Sequence, residues 1–415
     1  MIRSPRGTND ILPDEIAKWQ YLEKAIRKVT TNYGYKEIRT PIFESTEVFS
    51  RSIGDTSDIV NKEMYTFQDR GDNSLTLRPE MTAALVRACI QNGLANRGEL
   101  ERLWYYGPFF RYERPQKGRF RQFHQFGAEC LSSSNPESDA EVIMLAVSLI
   151  EDLGIEEYTL NINSLGNDKS RENFRRALVE YFSEYESELS EDSQRRLKEN
   201  PLRILDSKDP KDKELAKKAP KIIDSLDPVS KEYFDSVLEI LDYSGVSYKV
   251  SSALVRGLDY YSHTVFEFQS NALGAQDSFG GGGRYDGLFQ QLGGKPTPAV
   301  GFAFGVERLL LIIESIINKN EIQDSVDYYI ISGNEKYIKK SLQLAKTLRK
   351  KNYQTLTDIQ QKSFKSQMKD ANKRNASNVI IIAEQEMENN NILLKDMKTG
   401  EQQEVGFDEF ITGLG

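Results

Sequence analysis

Three arginines sit where this chain has least room for charge. Arg111 lies in Phe110-Arg111-Tyr112-Glu113-Arg114-Pro115 and Arg256 in Arg256-Gly257-Leu258-Asp259-Tyr260-Tyr261. Arg308 follows Gly305-Val306-Glu307 at the start of a strongly apolar helix. Each segment otherwise reads as buried. An unpartnered guanidinium there costs more than a marginally stable fold can spare. The fold is therefore constrained to bring these arginines to a shared polyanion, for which a nucleotide triphosphate is the natural candidate. Arginine suits that role because its rigid fork binds phosphate oxygens in pairs and stays charged at physiological pH.

At 415 residues the chain has room for two or three domains. A net charge of −8 argues against a nucleic-acid coat over the whole surface. Locally the balance reverses, since Lys336 to Arg374 holds twelve Lys/Arg against two Asp. That stretch reads equally as a solvated helix face or as a polyanion-binding surface. The two cysteines, Cys89 and Cys130, give no disulfide framework and point to a reducing compartment. With only His124 and His263 besides, there is no metal-ligand spacing. The start of the chain lacks the apolar core of a signal peptide. The longest apolar run, Leu309 to Ile317, is interrupted by Glu314 and too short to span a bilayer. These features predict a cytoplasmic protein with no membrane partner.

Periodicity predicts a helix from Asp14, as cap, to Tyr33, ended by Gly34. Tyr35 to Glu44 reads as a strand whose Pro41 favours an edge or an interface. A hairpin is expected around Asp69–Asn73, and a helix from Thr82 to about Gln91. Arg102–Arg111 and Phe120–Glu129 read as two long strands joined by a loop rich in Arg, Lys and Gln. From Asn167 to Gly245 the composition turns helical and charged, punctuated by Pro201, Pro210, Pro220 and Pro228, which predicts an inserted helical domain at 167–245. Strands resume at Tyr248, Thr264 and Ala299. After a boundary near Asn320 to Ser325, a β-α-β-α-β alternation predicts a small α/β domain with largely parallel strands over 325–415.

Alternation along the second long strand puts Phe123 and Gln125 on one face, opposite His124. With Arg111, Arg114, Lys117, Arg119 and Arg121 just before it, the segment fits a loop that meets nucleic acid beside a floor that holds a nucleotide. An exposed hairpin tip would explain the same basic residues. Gly280–Gly287 holds a glycine tetrad but no Walker motif and no dinucleotide fingerprint, so a flexible turn is its simplest reading. Arg308 in the first turns of a helix adds to the anion preference of a helix amino terminus, although an arginine snorkelling to water would look alike.

Taken together, these segments resemble the three signature motifs of class II aminoacyl-tRNA synthetases. Pro41 falls in the first, Phe110–Phe123 forms the second and Gly305–Arg308 the third. Leu254–Glu267 and Gly281–Leu288 narrow the resemblance to the histidyl-tRNA synthetase family, with support from Arg6–Asp10, Leu77–Thr82 and Arg114–Gln125. It covers the chain from its N-terminus to its last domain. The family fold implies an α/β protein: a catalytic domain (1–166 and 246–322) with an antiparallel sheet flanked by helices, the helical insertion, and a C-terminal anticodon-binding domain.

The resemblance further implies that ATP and L-histidine react to histidyl-adenylate and pyrophosphate, after which the histidyl group passes to tRNA(His). It places Arg111 and Arg256 at the α-phosphate, and Arg308 and Phe123 around the outer phosphates and the adenine. It assigns Glu80, Thr82 and Gln125 to the α-amino group of histidine and Glu129 and Tyr261 to its imidazole, with Tyr260 and Tyr285 lining the same pocket. Arg114 and Gln116 would meet the acceptor end of the tRNA. Mg²⁺ would enter with ATP, with no tightly bound protein-ligated metal, and the chain would form a homodimer through its first motif. Met81 departs mildly from relatives that carry glycine there. A synthetase-like regulatory subunit of ATP phosphoribosyltransferase is the main alternative. It is disfavoured because such paralogues lack the C-terminal domain and the arginine and tyrosines at 256, 260 and 261. A class II synthetase for another amino acid does not fit the histidine-specific strings, and a purely tRNA-binding module does not explain the internal arginines.

Overall fold

The structure is a computed structural model that describes residues 2–53, 59–95, 98–205, 207–252, 254, 260–274, 277–317 and 325–413. The chain divides into two compact units, Met1–Ile317 and Asn318–Gly415.

The first unit opens with helix α1 (Pro13–Asn32), which buries Trp19, Leu22, Ile26 and Val29 at helical spacing. Its N-cap is Leu12, not the expected Asp14. Pro13 presets the first helical φ, and Asp14 and Glu15 lie inside the first turn, where negative charge complements the dipole. The proline-bearing strand expected at Tyr35–Glu44 is likewise corrected. It is two short strands in different sheets, β1 (Lys36–Glu37) and β2 (Phe43–Ser45), with Pro41 between them because proline cannot supply a ladder N–H. Helix α2 (Thr46–Ile53) follows, then the hairpin β3 (Tyr65–Gln68) and β4 (Ser74–Leu77), and α3 (Thr82–Gln91).

The longest strands are β5 (Glu101–Phe110) and β6 (Gln122–Leu131), paired antiparallel throughout, from Glu101 opposite Leu131 to Phe110 opposite Gln122. After α4 (Pro136–Asp152) and β7 (Thr159–Ser164) come four helices, α5 (Asp168–Glu184), α6 (Glu191–Glu199), α7 (Pro210–Lys218) and α8 (Pro228–Tyr243). Asn167, Ser190, Asp209 and Asp227 cap them with side-chain oxygens. The first helices enclose a core of their own around Phe174, Leu178, Phe182 and Ile204, whereas α8 packs on α4. The unit closes with β8 (Lys249–Val250), β9 (Ser262–Gln269), β10 (Ser278–Arg284), α9 (Leu288–Gln291), β11 (Ala299–Gly305) and α10 (Val306–Ile316).

Among the described residues these strands build an eight-stranded sheet in the order β1-β5-β6-β11-β10-β9-β7-β8, parallel at its two edges and antiparallel between, beside a small sheet β2-β4-β3. Alternation sorts β5 and β6 onto two faces. Trp104, Tyr106 and His124 face α1 and α10, with His124 edge-on to Trp19 at 4.9 Å between ring centroids. Leu103, Tyr105, Phe109 and Phe123 face α3 and join its core. The glycine tetrad is corrected from a turn to a strand, β10. A Cβ on Gly282 would lie 1.9 Å from the Gly301 carbonyl oxygen, so the glycines let neighbouring strands close up.

In the second unit β12 (Val326–Ser332) pairs in parallel with β13 (Thr355–Thr357) and β14 (Ala376–Ile382), crossed by α11 (Ile338–Lys350) and α12 (Phe364–Lys373). Beyond α13 (Glu384–Glu388), β15 (Asn391–Asp396) and β16 (Gln402–Gly406) extend the sheet antiparallel before α14 (Phe407–Gly413), an extension the sequence pattern did not announce.

Candidate active site

The antiparallel strands and α3 enclose a cavity of about 370 Å³ in the first unit, a size that suits a small-molecule site. Its two ends differ in charge. At one end Arg111, just past β5, donates from Nε to the Pro79 carbonyl at 2.9 Å and lies over the Phe123 ring at 5.3 Å. Arg308, in the first turn of α10, donates to the carbonyls of Ser278 and Gly118. Arg119 joins them and is ion-paired with Glu113. Burial, and then the fields of Arg119 and Arg111, pull the Arg308 guanidinium below its ordinary pKa. Glu113, ion-paired with Arg119 and 4.0 Å from Arg111, offsets part of that mutual repulsion.

At the other end two carboxyls are held by geometry. Glu80 precedes α3 and accepts the Thr82 and Ala83 N–H groups at 2.6 and 3.0 Å, satisfying free donors of the helix. Burial still raises its carboxyl, against those two bonds and the field of Arg111. Glu129, on β6, accepts from the Tyr285 hydroxyl at 2.7 Å and from the Thr82 hydroxyl at 3.2 Å. Burial pushes it up to about 8 despite both bonds, with Glu80 adding repulsion. Its room exists because residue 301 has no side chain: a Cβ there would lie 1.5 Å from Glu129 Oε2. Tyr260, Tyr261 and Tyr285 form the apolar wall, Tyr260 lying 4.8 Å from Tyr261 and 5.8 Å from Tyr285 between ring centroids.

Thus Glu80, Thr82, Arg111, Phe123, Gln125, Glu129, Tyr260, Tyr261, Tyr285 and Arg308 share one cavity wall. Arg114 and Gln116 do not line it. They are exposed on the hairpin tip beyond Arg111, where Gln116 and Arg119 exchange backbone hydrogen bonds at 3.0 and 2.9 Å and Gly118 turns the chain with φ +70°. Arg256 lies outside the described residues. Sequence reasoning gave no cavity role to four contributors, of which it named Arg119 only within the basic loop. Arg119 and Glu113 line the arginine end of the cavity as a pair. Glu307 binds the His124 N–H at 2.9 Å and so ties α10 to β6. Arg284, fully buried on Asp139, Ser138 and the Ser133 carbonyl, anchors the backbone beside Tyr285. Glycine inside the strand pattern of β11 was the available signal for Gly301, and Arg284 within an otherwise glycine-rich strand signalled a buried partner.

An antiparallel sheet with the second and third motif segments around one cavity is the architecture of the class II aminoacyl-tRNA synthetases. The histidyl-tRNA synthetase family profile matches residues 7–309, and an anticodon-binding domain profile matches residues 327–415. The chain is 49% identical over 410 residues to the histidine–tRNA ligase of Bacillus subtilis, covering 98% of this chain and 97% of that one. It is 48% identical over 404 residues to that of Acaryochloris marina, covering 97% and 94%. The crystal structure of apo Staphylococcus aureus histidyl-tRNA synthetase superimposes with a TM-score of 0.85 at 38% identity, covering all of both chains. The chain belongs to the histidyl-tRNA synthetase family.

Proposed function

We propose that the cavity is where this chain, a histidine–tRNA ligase, joins L-histidine to ATP before transfer to tRNA(His). The observation that carries this reading is the polarity of this cavity, with arginines converging at one end and a buried carboxyl network at the other. The carboxylate of histidine attacks the α-phosphorus, forming an O–P bond while the bond to pyrophosphate breaks. No Ser-His-Asp group is needed, because a carboxylate is already a nucleophile. Arg111 stands at the phosphate end and, by the family motif, Arg256 faces it across the α-phosphate. Fixed cations aimed at charge that develops in the transition state are usually a large catalytic contribution. Arg308 holds the outer phosphates and Phe123 stacks on the adenine.

Glu80, Thr82 and Gln125 hold the α-amino group, and Glu129 and Tyr261 hold the imidazole, enclosed by Tyr260 and Tyr285. A site that partners both ring nitrogens rejects analogues lacking one of them. Mg²⁺ entering with ATP would neutralise phosphate charge. The wall carboxylates that could reach it, Glu113 and Glu307, are already engaged by Arg119 and by the His124 N–H. Phosphate oxygens and water would be the ion's main ligands.

The histidyl group then moves to the 3′ end of the tRNA, with Arg114 and Gln116 at the acceptor end and the basic helices α11 and α12 on the anticodon arm. We assign residues 1–166 and 246–322 to the catalytic domain, 167–245 to the insertion and 325–415 to the anticodon-binding domain. The chain acts in the cytoplasm as a homodimer. Exposed Ile42 and Phe43, beside Pro41 in the first motif, favour pairing there, and sedimentation should give twice the 47.4 kDa chain mass. Among the described residues no helix is long and apolar enough to cross a membrane. The regulatory-subunit alternative leaves the anticodon-binding match at 327–415 without a use. Pyrophosphate exchange with each amino acid in turn tests the reading: exchange driven by histidine supports it, and exchange driven by another amino acid overturns it.

A further inference from the structure

Strand β9 contains an irregularity that the proposed chemistry does not use. Against β10, Arg284 pairs with Ser262 and Gly283 with Val265, so His263 and Thr264 are looped out of that ladder. On the opposite edge the pairing continues. Thr264 pairs with Ser164, the His263 N–H donates to the Gly166 carbonyl at 3.0 Å, and its own carbonyl accepts from Leu165 at 2.7 Å. His263 reaches this geometry with φ +46°. Among the described residues it is the one non-glycine inside a strand with a left-handed backbone. The imidazole does not explain the position by hydrogen bonding, since its Nδ1 is buried without a partner among the described groups. The ring instead packs on Tyr233 of α8, 5.2 Å between centroids, and Tyr233 donates to Asp139, the partner of Arg284.

The irregularity lies between two places that matter. Two residues upstream is Tyr261 of the cavity wall. A Cβ on Gly283 would meet the Thr264 carbonyl oxygen at 2.5 Å and the Tyr261 ring at 2.9 Å, so the bulge and that glycine together make the ring's seat. On the other side, Gly166 directly precedes Asn167, the cap of the first inserted helix, and Tyr233 belongs to the last. A bulge re-aims the side chains next to it.

We propose that His263 is a positioning residue whose left-handed backbone aims Tyr260 and Tyr261 into the histidine pocket from the root of the inserted helices. The inference rests on the reading of that pocket as the histidine site. It is tested in the full chain by measuring kcat and KM for histidine and for ATP in pyrophosphate exchange, together with Tm, for His263→Gly, His263→Asn, His263→Ala and His263→Val. Glycine and asparagine accept the left-handed region, alanine resists it, and a β-branched residue resists it most. KM for histidine should stay within about twofold for Gly and Asn and rise about tenfold for Val, the factor a left-handed penalty implies, with KM for ATP unchanged. Ala should fall between, and it carries the test if the Val variant does not fold. The Asn variant should lose some Tm with the Tyr233 packing yet keep its KM, a split that a merely structural role would not give. Unchanged histidine KM in Val and Ala, or equal losses in Gly, Asn and Val, overturns the inference while the site reading stands. An unmodified chain without histidine-dependent exchange would defeat both.

Discussion

The raised carboxyl of Glu129 makes histidine activation depend on pH in a specific way. Burial pushes this group up to about 8 despite the Tyr285 and Thr82 hydrogen bonds, while a free imidazole titrates near ~6.5. In the complex the two share one proton. Between about 6.5 and 8 the separated partners also carry one proton between them, so binding is proton-neutral and kcat/KM for histidine is flat. Below about 6.5 the free partners hold two protons and binding must release one. Above 8 they hold none and binding must take one up. Each limb therefore falls tenfold per pH unit, which gives about a tenfold loss at pH 9. Glu129→Gln lowers the plateau but removes the upper limb, because an amide does not ionise. The limb from the substrate's own α-amino group is common to both proteins and cancels in the comparison. Pyrophosphate exchange from pH 5.5 to 9.5, with kcat/KM for histidine and for ATP measured separately, reads this out. An upper limb unchanged in the Gln variant would refute the assignment of that proton to Glu129.

Further outcomes follow from the same geometry. The carboxyl that is raised in the folded chain loses a proton earlier on unfolding, so stability should fall as pH climbs from 4.5 toward 8. Glu129→Gln should flatten that decline, at about 1.4 kcal/mol per pH unit of displacement, and urea titrations at pH 5 and 8 measure it. Arg256→Ala should cut adenylate formation by at least ~100-fold, comparable to losing one transition-state donor, with tRNA affinity unchanged in filter binding; near-normal exchange would remove Arg256 from the α-phosphate. Asp139→Asn removes one of the two carboxylates paired with Arg284, which is 1% exposed and keeps Asp286 at 3.0 Å, and should cost about 1–3 kcal/mol of stability in denaturant melts. Deleting 325–415 should weaken tRNA charging far more than exchange and flatten the salt dependence of tRNA binding. Equal charging by the truncated chain would end the anticodon assignment.

What the sequence disclosed was set by how local each signal is. Period-two alternation in β5 and β6 is a short-range pattern, and it correctly placed Phe123 and Gln125 together and His124 opposite. The β-α-β-α-β run was legible for the same reason. The glycine tetrad was not, because its strand character comes from neighbours: β9 and β11 press against backbone that carries no side chains. Strand β16 was missed because it is short, largely exposed and polar, and apolar β15 with it, because their pairing depends on the turn that Asp396 holds at Lys398 and Thr399. Pro41 showed that no central strand could run there, but not that the chain would leave one sheet for another. In the cavity, residue identities followed from the motifs. The seating of Glu129 over Gly301 and the anchoring of Arg284 on Asp139 each join residues far apart in sequence, where no spacing rule reaches.

The central claim is that this chain attaches histidine, and no other amino acid, to tRNA through the cavity between the antiparallel strands and α3. The direct measurement is acid-precipitable charging of total tRNA by the purified protein with each labelled amino acid, repeated with Arg111→Ala and Glu129→Ala. The account predicts charging with histidine alone, lost through slow adenylate formation in the first variant and through poor histidine use at normal ATP KM in the second. Charging with a different amino acid, or histidine charging that survives both substitutions in folded protein, would contradict it.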